Sequence, residues 1–134
     1  MKIREAGQLL RQRKISCTEL LDEALSNIES MNGKLNAFIT VTAYEARLQA
    51  KLLDQELAGG RDRGPLHGIP IALKDLFYTA GVRTTNGSAL FRDFVPDYDA
   101  TVVRRLDDAG AVNVGKLNML PLAAIAFGAR SPRQ

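Results

Sequence analysis

Gly64-Pro65-Leu66-His67-Gly68-Ile69-Pro70-Ile71-Ala72-Leu73-Lys74-Asp75 is the stretch on which the reading of this chain turns. Inside it, Ile69 to Leu73 is a short continuous apolar run, the pattern of a strand buried on both faces. Pro70 falls near its start, where a missing backbone donor is tolerated. The run stops abruptly at Lys74-Asp75. In α/β sheets ligands bind at strand carboxyl ends, so Lys74 is the first residue to weigh for chemistry. Partial burial at such a place disfavours an ammonium ion, which lets the amine act as a general base. Taken alone, Lys74 reads better as an ion-pair partner or as a side chain snorkelling to water.

On the N-terminal side of this strand the pattern is helical. Ser16 with Glu19 forms a capping box, flanked by Ile15 and Leu20 as a hydrophobic staple. Cys17, Leu20, Leu21, Ala24, Leu25, Ile28 and Met31 recur at spacings of three and four, one apolar stripe that ends near Asn32-Gly33. A weaker helix carrying Leu9 and Leu10 precedes it. Leu35 to Val41 is a short apolar stretch that leads into a second capping box, Thr42 with Glu45. Ala43, Ala46, Ala50, Leu53 and Leu57 make the inward stripe of that helix, and Gly59-Gly60 stops it. Arg61 to Pro65 is an exposed loop.

On the C-terminal side, Asn86-Gly87 marks the corner of a turn. Asp99 is placed to cap a further helix with Val102, Val103, Leu106 and Ala109 inward and Arg104, Arg105, Asp107 and Asp108 in solvent. Gly110 ends it, and Ala111 to Gly115 reads as a second buried strand. Strand, helix and strand in that order predict parallel pairing through a crossover. The fold class is therefore α/β: a helical N-terminal layer over residues 1–60, then the start of a mixed, mainly parallel sheet over residues 65–119.

Composition narrows the functional classes. Hydrophobic residues make up 46% of the 134, enough for a core, and charged residues 25%. The net charge of +3 comes from scattered basic residues, and aromatics are only 6%, so no nucleic-acid footprint is expected. Cys17 is the single cysteine, which excludes an internal disulfide and a cysteine-rich zinc site. It reads as a small apolar residue on a helix face. No metal or cofactor site is expected. Met1 to Lys14 has no apolar signal-peptide core, and the longest apolar run, Met119 to Ala129, contains Pro121 and is too short to span a bilayer. The expected compartment is the cytoplasm, with no membrane partner.

What changes the weight on Lys74 is its surroundings. The Gly64–Asp75 stretch closely resembles the lysine-bearing segment of the amidase signature family. The likeness continues through Thr79-Ala80-Gly81, Arg83 to Ser88, Asp99 to Val103 and Gly110 to Lys116, and upstream through Ile15 to Leu20 and Leu35 to Phe38. Several blocks in the expected order and spacing form a specific signal. The resemblance covers about Ile3 to Met119.

That resemblance implies amide C–N hydrolysis by two serines and a lysine. The lysine at position 74 deprotonates one serine, which relays the proton from the nucleophilic serine; an acyl-enzyme forms and is then hydrolysed. The implied substrate is a small-molecule amide. No glycine-serine-rich segment follows Lys74: Ser88 belongs to a turn, and Ser131 lies in Arg130-Ser131-Pro132-Arg133 without glycines. The 134 residues are therefore expected to be the N-terminal part of a single amidase-signature domain, with a divergent tail over residues 120–134 where an acidic residue and a glycine loop are usual. Within the family, a free-standing amidase is the first reading, and the glutaminase-type subunit of a tRNA-dependent amidotransferase the second. A reading from another class is a non-catalytic interaction fragment, preferred for these 134 residues by themselves. Cut sheet edges predict self-association.

His67 is expected to be solvated or bonded to backbone, and Asp75 to hold nearby backbone N–H groups.

Overall fold

The computed structural model describes residues 1–120. Helix α1 (Ile3–Arg11) and helix α2 (Cys17–Leu35) come first, then strand β1 (Phe38–Val41) and helix α3 (Ala43–Ala58). Strand β2 (Pro70–Lys74), a short 3-10 turn (Ala89–Phe91), helix α4 (Thr101–Asp108) and strand β3 (Val112–Leu117) follow. The sheet order is β1-β3-β2. β2 pairs parallel with β3 across α4, as the strand-helix-strand order predicts, and β1 pairs antiparallel on the other side of β3. The sheet is mixed, with helices α2 and α3 packed on it.

The capping box at Ser16 forms in full. Its hydroxyl accepts from the Glu19 N–H at 3.0 Å, and the Glu19 carboxylate accepts from the Ser16 N–H at 2.8 Å. A second cap arrives from a distance: the Asp54 carboxylate, on α3, accepts from the N–H groups of Cys17 (2.6 Å) and Thr18 (3.1 Å) and from the Thr18 hydroxyl (2.7 Å). Burial works against the ionised Asp54, but these hydrogen bonds from Thr18 and Cys17 hold its carboxyl below the ordinary range. α2 runs on to Leu35, beyond Asn32-Gly33, and is closed by Asn36 in the left-handed conformation. Asn32 spends its side chain on the chain beyond, accepting from the Phe38 N–H and donating to the Phe38 carbonyl.

The core joins the inner faces of α1, α2 and α3 to the sheet. Leu10, Cys17, Leu21, Ala50, Leu53 and Val112 are all at most 2% exposed. The stripe read from the sequence holds along α2 as far as Ile28, but Met31 is 52% exposed, because the helix end overhangs the sheet. In α3 the inward stripe is as expected, with Ala46, Ala50 and Leu53 buried. On α4 only Val103 is buried, and Val102 is 40% exposed.

Three local expectations are corrected. Leu35 to Val41 is not merely a lead-in: Phe38–Val41 is a strand, held by partners some 75 residues away in β3 that no local pattern reveals. Thr42 makes no side-chain cap on α3; its hydroxyl donates to the Asn113 carbonyl at 3.0 Å and ties the start of α3 to β3. Asp99 does not cap α4 either, because its carboxylate accepts from the Ala80 N–H at 2.7 Å and fixes the loop after β2. The divergent tail lies outside the described residues, apart from Leu120.

Candidate active site

β2 and β3 run parallel and end side by side, Lys74 opposite Leu117 in register. The loop from Thr84 to Gly87 closes over the same end. Asn86 and Gly87 take consecutive positive φ angles of 52° and 65°, the corner read from the sequence. A Cβ on Gly87 would sit 2.8 Å from the Met119 carbonyl oxygen, so the corner packs directly on the chain leaving β3. Three segments thus meet at one end of the sheet.

Lys74 is the last residue of β2, and its side chain is exposed. This corrects the expected partial burial: β2 is an edge strand, and within the described residues nothing covers the amine or bonds to it. Its backbone is better held. The Phe77 N–H donates to the Lys74 carbonyl at 3.0 Å, which closes a tight turn over residues 74–77.

Asp75 turns inward and is fully buried. Its N–H donates to the Leu117 carbonyl (3.1 Å), and its own carbonyl accepts from the Asn86 N–H (3.0 Å). One carboxylate oxygen, Oδ2, accepts from both the N–H and the hydroxyl of Thr85. The expected role in holding backbone donors is met at Thr85. The other oxygen, Oδ1, has no hydrogen-bond partner, but the ammonium of Lys116 lies 3.6 Å away.

Lys116 is the residue that sequence reasoning missed. It sits on β3, its side chain 0% exposed, with Nζ donating to the Phe77 carbonyl and to the Thr84 hydroxyl, both at 2.7 Å. Thr84 in turn donates to the Val82 carbonyl at 3.1 Å. Burial pushes the Lys116 ammonium below its ordinary pKa, and the neighbouring Asp75 carboxylate works in the opposite direction. Among the described residues the site thus contains an open lysine at a strand end and, beneath it, a buried lysine–aspartate pair locked by two threonines.

The other residues weighed from the sequence lie elsewhere. His67 is 2% exposed; its Nδ1 accepts from the Arg63 N–H (3.1 Å), which leaves Nε2 to donate to the Leu53 carbonyl (3.0 Å). Of the two outcomes expected for this histidine, solvated or backbone-bonded, the second holds. Cys17 is wholly buried, its thiol pushed up to about 12 by burial and then by Asp54, so it has no nucleophilic character. The Ser88 hydroxyl accepts from the Leu90 N–H at 3.3 Å and caps the 3-10 turn. Ser131 lies outside the described residues. A cavity of about 250 Å³ between α3, α4 and the sheet is lined by Gln49, Ile71, Val103 and Asn113 among others, and reaches neither Lys74 nor Lys116. Among the described residues no group of three acidic, histidine or cysteine side chains is placed to hold a metal ion, and no helix is long and apolar enough to cross a membrane.

A lysine-ended strand beside a Thr-Thr-Asn-Gly corner is shared with known proteins. The family model described as Amidase matches residues 19–133. The chain belongs to the amidase family. Among curated amidase relatives, a glutamyl-tRNA(Gln) amidotransferase subunit from Anaeromyxobacter dehalogenans is 51% identical over 117 residues, 87% of this chain and 24% of that protein. Among solved structures, the native peptide amidase of Stenotrophomonas maltophilia superposes with a TM-score of 0.84 at 37% identity, over 89% of this chain and 25% of that one. A bacterial aryl acylamidase of the amidase signature enzymes gives 0.83 at 25% identity, over 92% and 26%. This amidase-family chain thus spans about a quarter of the length of the relatives it matches.

Proposed function

We propose that Lys74 is the general base of an amide-hydrolysing centre, acting on serines supplied by polypeptide beyond these residues. The observation that carries this reading is the place of Lys74: the last residue of a parallel strand, amine open, inside the block that resembles the family's lysine segment. An open amine at the sheet end suits a proton acceptor that has to meet a hydroxyl from another part of the fold. In the reaction the deprotonated serine oxygen attacks the amide carbonyl, the amine departs with the relayed proton, and water cleaves the resulting ester. Residues 1–134 by themselves hold the base without a nucleophile beside it and do not turn amides over.

Of the two substrate readings, identity favours the second. The relative from the tRNA-dependent amidotransferase is 51% identical, against 37% for the peptide amidase. Glutamine is then the amide cleaved, ammonia the product, and further subunits the partners. A cytoplasmic setting belongs to the same proposal.

The test is a fusion in which the matching 117 residues of this chain replace those of the Anaeromyxobacter dehalogenans relative. Ammonia release from glutamine is expected, and Lys74→Ala should lower kcat by about 10²–10⁴-fold, the range of a lost general base. A Lys74→Ala fusion that keeps its rate would remove Lys74 from the mechanism.

Self-association of the 134-residue chain belongs to the same proposal. β1 and β2 are open edges of the described sheet. Tyr44, Leu48 and Leu52 form an outward stripe on α3, each at least 50% exposed. Sedimentation velocity should reveal mass increasing with concentration; a single monomer boundary at millimolar protein argues the opposite.

A further inference from the structure

We infer that Lys116 is a positioning residue for Lys74, its ammonium clamping from below the turn that carries the base. The inference rests on the reading of Lys74 given above and assigns a task to a buried group that reading leaves unused. Three contacts of Lys116 Nζ make the case. Phe77 O, 2.7 Å away, belongs to the residue whose N–H closes the turn onto the Lys74 carbonyl. Asp75 Oδ1, 3.6 Å away, belongs to the residue that immediately follows Lys74. Thr84 Oγ1, 2.7 Å away, begins the Thr84-Thr85 pair, of which Thr85 holds the other oxygen of Asp75. One ammonium therefore grips both ends of the 74–77 turn and the loop that closes over it.

A lysine kept only to neutralise Asp75 has no need of the Phe77 carbonyl. Asp75 is the one charged group among the described residues that bears on Lys116, and a single ion pair satisfies it. The additional bond to Phe77 fixes where the backbone of Lys74 lies relative to β3. A misplacement of about 1 Å costs a catalytic group on the order of a hundredfold in rate. Such a clamp matters to a base whose own side chain has no other anchor among the described residues.

The test separates placement from stability with the paired substitution Lys116→Met plus Asp75→Asn, which replaces the charged pair by a neutral one of similar shape. In the 134-residue chain the Phe77 amide should exchange with solvent at least about tenfold faster than in the wild type, at a similar urea midpoint. In the active fusion, kcat should fall at least about tenfold with KM within about twofold, the mark of a group lost from the transition state rather than from binding. Wild-type exchange at Phe77, or wild-type kcat, overturns the inference. Should the double variant not fold, Thr84→Val removes one partner of Lys116 at constant shape. It is then expected to lower kcat about threefold at unchanged KM, and an unchanged kcat overturns the inference equally. Failure here leaves Lys74→Ala as an independent test of the base, and a fully active Lys74→Ala fusion sinks the base reading whatever Phe77 does.

Discussion

Lys116→Met alone is expected to cost about 3–5 kcal/mol of folding stability, as breaking a buried ion pair from one side generally does. Both partners are fully buried. With the ammonium gone, Asp75 keeps its two bonds from Thr85, but its Oδ1 faces the interior with neither a hydrogen bond nor a counter-charge. The Phe77 carbonyl and the Thr84 hydroxyl lose their donor as well. Since whole domains are stable by only about 5–15 kcal/mol, such a loss leaves little margin. The paired change with Asp75→Asn removes the stranded charge, and a neutral pair in place of a buried ionic one is often close to neutral in stability. Urea denaturation of the three proteins in one buffer measures the difference. A single variant as stable as the wild type would mean that Asp75 is solvated or protonated, and the buried-pair description would be wrong.

The same residue marks the limit of what the sequence makes legible. The strand in Ala111–Gly115 is readable from its apolar character, but the apolar run stops one residue short of Lys116. Val112 and Val114 alternate on the buried side, and carrying that period of two one step further puts Lys116 with them. A lysine on the buried side of a strand signals a buried partner; the only part missing from sequence is which carboxylate. Asp75 is visible as a structural acid, yet its pairing with Lys116 spans 41 positions and follows from the parallel register of β2 on β3. Lys74 shows the reverse case. Its place at the strand end is legible, while its exposure depends on β2 lying at a sheet edge, which no local pattern encodes. The helical layer is legible because caps and stripes are local: Ser16, Glu19 and the α2 and α3 periodicities all act within a few residues. β1 is not, because four residues acquire strand geometry only when β3 is there to pair with them. Thr42 and Asp99 mislead as caps for a related reason, since each has a longer-range acceptor or donor that outcompetes the local one.

That dependence of β1 on β3 gives a second large effect, at Gly115. Its φ is +149°, outside the range that residues with a side chain readily adopt, and it pairs with Val41 across the strands. A Cβ at this position would lie 2.2 Å from the Thr40 carbonyl oxygen and 3.1 Å from the Val41 Cα. Both are backbone atoms of β1, so no side chain can swing aside to make room. Gly115→Ala is therefore expected to destabilise the chain by roughly 3–5 kcal/mol, combining backbone strain with forced separation of two strands. The damage should centre on β1, with Arg83 also losing its hold on the Ile39 carbonyl. Gly33→Ala is the control: it lies in helix α2, and its Cβ would meet nothing within 4 Å. Replacing a helical glycine by alanine should instead stabilise by about 0.5–1 kcal/mol. Thermal unfolding of the two variants is expected to move in opposite directions from the wild type. Equal and small shifts would show that β1 can step away from β3 without cost, and that the antiparallel edge adds nothing to the platform beneath Lys74.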